Sequence, residues 1–151
     1  MRAAYANVTQ AAARMQPSAR IDGVMVQKME RGVAEIIVGA TRDPVFGAVL
    51  TVGLGGVLTE IYQETSHRLL PVDEDIALQM LRELKAFALL DGFRGKPRGD
   101  LAAACRSIVA VGNALLAAPA AVSQIEVNPL LIKEAGQGVA VLDALILPAT
   151  P

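Results

Sequence analysis

Residues 123–147 read SQIEVNPLLIKEAGQGVAVLDALIL, and this stretch decides much of the fold. Two apolar runs flank the turn-forming residues 134–137, Glu-Ala-Gly-Gln, a pattern that predicts an antiparallel hairpin. If Lys133 closes the turn opposite Gly138, the same register places Asn128 directly opposite Asp143. The sequence therefore predicts that these two side chains meet on neighbouring strands.

Three oxygen-bearing side chains share one patch of this predicted hairpin. Directly opposed residues of an antiparallel pair have Cβ atoms about 4.5–5.5 Å apart, and Glu126, two positions from Asn128, projects from the same face. Such a set suits a hard cation such as Mg²⁺, which takes oxygen ligands and retains waters and phosphate oxygens. The alternative is that the acids are turn or rim residues, although a charge at Asp143 within an apolar run is costly unless paired or metal-bound. Spacing alone leaves both interpretations open.

The remainder of the chain predicts strands followed by helices. Helical spacing of apolar residues predicts a helix over residues 3–16, and two long helices that begin after the capping acids Asp73 and Asp100. The first long helix is expected to continue to Gly92. Predicted strands cover residues 24–29, 33–40, 48–52, 67–72, 123–133 and 138–147, and residues 57–62 fit either a short strand or a helix. This order indicates an α+β fold, a mainly antiparallel sheet with flanking helices.

Composition excludes several classes of protein. The chain has 151 residues, the length of one domain, and its formal net charge of −1 gives no electrostatic reason to bind nucleic acid or an acidic membrane. Residues 108–122, the most apolar stretch, are interrupted by Gly112, Asn113 and Pro119 and are too short to span a bilayer. With Cys105 as the only cysteine and no leader-like segment, a cytoplasmic protein without disulfides is expected.

The motif Glu126-Val127-Asn128-Pro129-Leu130, with Asp143 downstream, resembles the Mg²⁺–nucleotide site of ATP-grasp enzymes, in the branch of succinyl-CoA synthetases and NDP-forming acyl-CoA synthetases. Other segments resemble that branch in the same order: VMVQKM (24–29), GVAEIIVG (32–39), TRDPVFG (41–47), GLGG (53–56) and RGKP (94–97). The likeness covers nearly all of residues 20–147. It implies an ATP-grasp C-terminal subdomain over residues 21–147, with a leading helix over 1–20 and a loose tail over 148–151.

The resemblance implies a role for each motif. The implied metal ligands are Glu126, Asn128 and Asp143. The implied cofactor-binding residues are Gln27, Lys28 and Met29 at the adenine, Glu35 at the ribose, and Gly53, Gly55 and Gly56 at a phosphate. The implied catalytic residues are Arg42, which contacts phosphates, and Glu60, which positions an incoming histidine.

Each of these roles has a structural alternative. Residues 27–29 fit an ordinary strand end, Glu35 fits a solvent-facing strand position, and Arg42 fits a surface arginine beside a hairpin turn. The glycines fit a turn or bulge, and no Gly-Lys-Ser/Thr signature of a P-loop follows them. The only histidine, His67, is assigned to structure because its surroundings do not resemble the family's phosphoryl-carrying segment.

The family reaction converts acyl-CoA, ADP and phosphate reversibly into carboxylate, CoA and ATP, by way of a phosphohistidine. The resemblance implies that this chain holds ADP or ATP with Mg²⁺ for the last step and is not competent for the full reaction alone. Its expected partners are the N-terminal ATP-grasp subdomain and the CoA-binding and ligase domains. Two alternatives remain open: a non-catalytic, nucleotide-binding regulatory module of a synthetase-like protein acetyltransferase, or a truncated structural remnant that folds or forms a homodimer.

Overall fold

The computed structural model describes residues 1–55, 64–85 and 87–149. Contacts divide the chain into two compact units, Met1–Glu30 and Arg31–Pro151. No helix in the described part of the chain is long and apolar enough to cross a membrane.

The first unit contains helix α1, Arg2–Met15, where the sequence predicts a helix. The prediction of a strand over residues 24–29 is wrong, because the structure has no regular secondary structure there. Apolar alternation predicts which faces a strand would have, but a strand also needs a neighbouring backbone with which to pair.

The described residues of the second unit form a six-stranded sheet. Its strands are β1 Ala34–Asp43, β2 Gly47–Leu54, β3 Thr65–Leu69, β4 Val122–Ile132, β5 Val139–Val141 and β6 Ala144–Pro148. The order across the sheet is β3-β2-β1-β4-β5, and β6 also pairs with β4. Each of these pairings is antiparallel. The predicted α+β class with a mainly antiparallel sheet is therefore confirmed.

Between β3 and β4, the described residues form three α-helices and a 3₁₀ turn, Phe93–Gly95. The helices are α2 Glu74–Glu83, the short α3 Phe87–Leu90, and α4 Leu101–Ala117. The predicted caps are confirmed, since a carboxylate oxygen of Asp73 accepts a hydrogen bond from the backbone N–H of Ile76, and one of Asp100 accepts from that of Ala103. The prediction of one continuous helix to Gly92 is wrong. Helix α2 ends before Leu84, whose backbone is extended, and the N–H of Lys85 bonds to the carboxylate of Glu64 instead of continuing the helix.

One face of the sheet forms the core with helices α2 and α4. Alternate residues of the central strands, including Ile36, Val38 and Leu50, are fully buried together with Met80 and Ile108 from the helices. The intervening residues project from the opposite face of the sheet, because successive side chains of a strand alternate. The candidate site lies on this second face.

Candidate functional site

The hairpin of β4 with β5 and β6 has the predicted register. Leu130 lies opposite Val141, Val127 lies opposite Ala144, and the N–H of Lys133 bonds to the carbonyl of Gly138 at the turn. The predicted single strand over residues 138–147 is instead two strands, with Leu142 and Asp143 between them.

Asn128 and Asp143 meet across this interruption. The backbone N–H of Asn128 donates to the carbonyl of Asp143 over 3.1 Å. Glu126, Asn128 and Asp143 line one small cleft of about 130 Å³ together with Ala144 and Leu145. The structure thus brings together the three residues that the sequence predicts as metal ligands.

Hydrogen bonds orient the polar groups of this cleft. Gln124 donates through Nε2 to Oε2 of Glu126 (2.9 Å), and Asn128 donates through Nδ2 to Oε1 of the same carboxylate (3.2 Å). Asp143 accepts at Oδ1 from the backbone N–H of Ala144 (2.8 Å). These bonds do not use the carboxamide oxygen of Asn128 or Oδ2 of Asp143.

The donor set of the cleft fits a hard divalent cation. Within the described ranges, no cluster of three or more His, Cys, Asp or Glu side chains could hold a metal. A cation at this cleft would therefore bind at most two carboxylates, together with the carboxamide oxygen of Asn128, and complete its shell with water or phosphate. Mg²⁺ is commonly bound in this way, through one or two carboxylates and substrate phosphates.

Glu35 lies on β1, on the same face of the sheet as the cleft. It alternates with Ile37 and Gly39, and Gly39 lies directly opposite Glu126. Its side chain is half-buried. This position is compatible with the predicted contact to a ribose, which stays a prediction.

The glycine segment has a packing explanation. A Cβ on Gly53 would lie 3.0 Å from Cγ2 of Thr65, and one on Gly55 would lie 3.0 Å from the carbonyl carbon of Glu35. The N–H of Gly55 donates to the carbonyl of Glu35 (2.9 Å) and is not available to a phosphate. The predictions for Gly56 and Glu60 lie outside the described residues.

Arg42 requires a correction to its predicted role. Its Nε donates to the carbonyl of Val122 (3.1 Å), and its Nη2 donates to those of Leu115 (2.7 Å) and Ala118 (2.9 Å). Arg42 alternates with Thr41 and so lies on the helix-covered face of the sheet, opposite to Glu126. The structure makes Arg42 a cap for the end of α4, away from the candidate metal cleft.

The predicted adenine-contacting residues lie in the first unit. Gln27 donates to the sulfur of Met25 (2.9 Å), and Lys28 forms an ion pair with Glu30 (3.1 Å). Met29 is almost fully exposed. These local contacts do not test the predicted adenine site.

His67 is exposed on β3, and the structural role expected for it stays a prediction. The two ring nitrogens of His67 lie within hydrogen-bonding distance of the hydroxyls of Thr51 (3.0 Å) and Thr65 (2.9 Å). Cys105 is buried in α4, and this burial raises the pKa of its thiol and favours the uncharged form.

Sequence reasoning missed Gln124. Its relation to the cleft is visible in the alternation of SQIEVN, where Gln124, Glu126 and Asn128 occupy every second position. The pattern does not reveal how these three side chains hydrogen-bond to one another.

A comparison with family models identifies the family of this chain. The family model described as an ATP-grasp domain matches residues 1–147. This chain belongs to the ATP-grasp family.

Curated relatives of this ATP-grasp chain include ADP-forming ligases. It is 40% identical over 123 residues to acetate–CoA ligase [ADP-forming] I of Archaeoglobus fulgidus, covering 82% of this chain and 18% of that protein. It is 37% identical over 133 residues to the β subunit of acetate–CoA ligase [ADP-forming] I of Pyrococcus furiosus, covering 88% of this chain and 57% of the subunit. The ATP-grasp chain thus spans about a fifth of the first relative and just over half of the second.

Solved structures share the fold. One is the dinucleotide forming acetyl-coenzyme A synthetase 1 of Ca. Korarchaeum cryptofilum, in complex with coenzyme A, Ca-AMPCP and HgCl⁺. The TM-score is 0.88 and the sequence identity 33%, and the match covers 98% of this chain and 63% of the synthetase chain. Another complex of the same synthetase contains coenzyme A and Mg-AMPPCP, with a TM-score of 0.73, 33% identity, and coverage of 80% of this chain and 55% of that one.

Proposed function

We propose that this chain is the part of an ADP-forming acyl-CoA synthetase that binds ADP or ATP with Mg²⁺. The observation that carries the proposal is the pairing of Asn128 with Asp143 on one cleft beside Glu126. Support comes from relatives that are ADP-forming ligases, and from structures of a neighbour in complex with Mg-AMPPCP or Ca-AMPCP.

The residues of the cleft would hold the cation and orient it toward phosphate. Asn128 would supply its carboxamide oxygen and Asp143 its second carboxylate oxygen. Bound Mg²⁺ neutralises charge on the β- and γ-phosphate oxygens during phosphoryl transfer, in which positioning and electrostatics contribute most of the catalysis. Glu35 would bind the ribose, and residues 27–29 would bind the base.

The complete reaction would require further domains. We propose that acyl-CoA, ADP and phosphate are converted into carboxylate, CoA and ATP by an assembly that includes an N-terminal ATP-grasp subdomain and CoA-binding and ligase domains. Relatives that are longer chains, or separate β subunits, support this arrangement. The chain by itself would bind nucleotide without completing the reaction.

The test is calorimetric titration of ADP and ATP into the chain, with and without Mg²⁺. We expect binding that depends on Mg²⁺, and a loss of at least about tenfold in affinity for Asn128→Ala and Asp143→Ala, since each removes one oxygen ligand. Asn113→Ala is the matched control, because Asn113 is exposed on α4, which packs on the opposite face of the sheet from the cleft. Absence of binding, or binding that is equally strong without Mg²⁺ and in both variants, would contradict the proposal.

A further inference from the structure

Three polar side chains form a hydrogen-bonded row along β4. Gln124, Glu126 and Asn128 occupy alternate positions on one face of the strand, and the carboxylate in the middle accepts a bond from each neighbour. One oxygen of Glu126 bonds to Gln124, and the other bonds to Asn128. Both oxygens of Glu126 are therefore engaged within the row.

The bond from Asn128 decides which end of its carboxamide is available to a cation. Its Nδ2 faces Glu126, and the oxygen is the end left for a ligand. A flipped amide would place the Asn128 oxygen against the Glu126 carboxylate and exchange an attraction for a repulsion. Glu126 thus fixes the orientation in which Asn128 can bind a cation.

Gln124 in turn restrains Glu126. It lies between two cross-strand neighbours, Thr41 on β1 and Leu147 on β6, and is half-buried. Glu126 is also half-buried, whereas Asn128 is exposed. The row therefore runs from an anchored amide at Gln124 to an exposed amide at the cleft.

We propose that Gln124 is a positioning residue of the metal cleft: it holds Glu126, which holds Asn128 with its carboxamide oxygen directed to the cation. The proposal rests on the proposed function for the presence of the cation. It assigns Glu126 to orienting Asn128, and leaves Asn128 and Asp143 as the direct protein ligands. Hydrogen-bonding partners of metal ligands commonly act in this way.

The first measurement needs no metal. Gln124→Leu removes the amide donor at similar size, and Gln137→Leu, in the exposed turn between β4 and β5, is the control with the same chemical change. We expect the side-chain amide ¹H–¹⁵N resonances of Asn128 to shift in Gln124→Leu and to stay in place in Gln137→Leu. An unshifted Asn128 amide in a folded Gln124→Leu protein would overturn the proposal.

The second measurement is a titration with Mn²⁺ in place of Mg²⁺. Binding of Mn²⁺ is monitored by the paramagnetic broadening of the Asn128 and Asp143 resonances. We expect Gln124→Leu to weaken Mn²⁺ binding about 10–100-fold, the usual effect of removing such a partner, with no change in Gln137→Leu. In a Glu126→Leu background, Gln124→Leu is expected to have no further effect, because its target is gone.

The two measurements separate the two proposals. Failure of the wild-type chain to bind Mn²⁺ at these residues would count against the proposed function, while the amide spectra would still decide whether Gln124 orients Asn128. Normal Mn²⁺ binding in Gln124→Leu would overturn the positioning role. The same holds if Gln124→Leu lowers the Mn²⁺ affinity equally in the wild-type and Glu126→Leu backgrounds.

Discussion

Arg42 joins three segments of the second unit through its guanidinium. It donates to the carbonyls of Leu115 and Ala118 at the end of α4 and to that of Val122 at the start of β4. Carbonyls at a helix C-terminus lack intrahelical partners and carry partial negative charge, so a cation there is favourable. The residue therefore fixes the turn that leads from α4 into the strand of the candidate site.

We predict that Arg42→Met lowers the free energy of unfolding by about 2–3 kcal/mol, because it removes three hydrogen bonds to partly buried carbonyls. Arg42→Lys should recover only part of this loss, since one ammonium lacks the planar fork of the guanidinium. Urea denaturation of the full chain measures both changes.

The matched control is Arg106→Met, which removes an exposed arginine from α4 and is expected to change stability by less than about 0.5 kcal/mol. Mg²⁺-dependent nucleotide binding should be retained by folded Arg42→Lys, because Arg42 lies on the opposite face from the cleft. A selective loss of nucleotide binding at unchanged stability would restore the phosphate role that the structure argues against.

Single residues differ in how far the sequence predicts their roles. The charge of Asp143 within an apolar run, and its register with Asn128, are local properties and were predictable. The role of Arg42 depends on where the end of α4 packs, seventy or more positions along the chain. No local pattern around Arg42 contains that information.

At the level of elements, Asp100 links helix α4 to the hairpin of the candidate site. One carboxylate oxygen accepts from the N–H of Ala103 (3.0 Å), and the other accepts from the N–H of Gly138 (2.8 Å). We predict that Asp100→Ala destabilises the protein by about 1–2 kcal/mol, and more than Asp73→Ala, which removes only a helix cap. Parallel denaturation of the two variants measures the difference, and equal losses would contradict the link to the hairpin.

The contribution of Asp100 should depend on pH. The backbone N–H groups of Ala103 and Gly138 lower the pKa of the Asp100 carboxyl in the folded state. Stability from this group is therefore present above the pKa of the unfolded chain, about 4, and is lost as the pH falls through the lower folded-state value. We expect the stability difference between the wild type and Asp100→Ala to be constant near neutrality and to shrink below about pH 4.

The entry into β1 requires glycine at position 32. A Cβ there would lie 2.5 Å from the backbone oxygen of Ile132 and 2.7 Å from the side chain of Leu131, whereas one on Gly39 would meet nothing within 4 Å. We predict that Gly32→Ala destabilises the protein by about 1–3 kcal/mol, because β1 must move away from β4.

Gly39→Ala in β1 is the control for Gly32→Ala and should be neutral or slightly stabilising, since glycine is a poor strand residue. Thermal unfolding of the two variants checks the prediction. Equal unfolding midpoints for Gly32→Ala and Gly39→Ala would contradict the prediction and show that the start of β1 can shift to accommodate the added methyl group.

At the scale of the whole molecule, the core belongs to the second unit. Among the residues that the structure describes, the buried core residues lie between Ile36 and Ile132, and helix α1 of the first unit contains no buried residue. We therefore predict that a chain of residues 31–151 unfolds cooperatively, with a midpoint within about 4 °C of the full chain. Nucleotide binding should weaken if residues 27–29 contact the base.

Calorimetric unfolding and nucleotide titration of the shortened chain measure these two effects separately. Loss of the cooperative transition would show that the first unit is needed for folding of the second. Unchanged nucleotide affinity would remove the support for an adenine contact at residues 27–29.

By itself, the sequence determined the class of fold, the two helix caps at Asp73 and Asp100, and the register of the closing hairpin. These features depend on periodicity, on turn chemistry and on residues that are neighbours along the strand or across one turn. The tertiary structure decided that residues 24–29 form no strand, that α2 ends before Leu84, and that Arg42 caps α4. Each of these depends on whether distant backbone groups become hydrogen-bonding partners, which is fixed only when the sheet and the helices have packed.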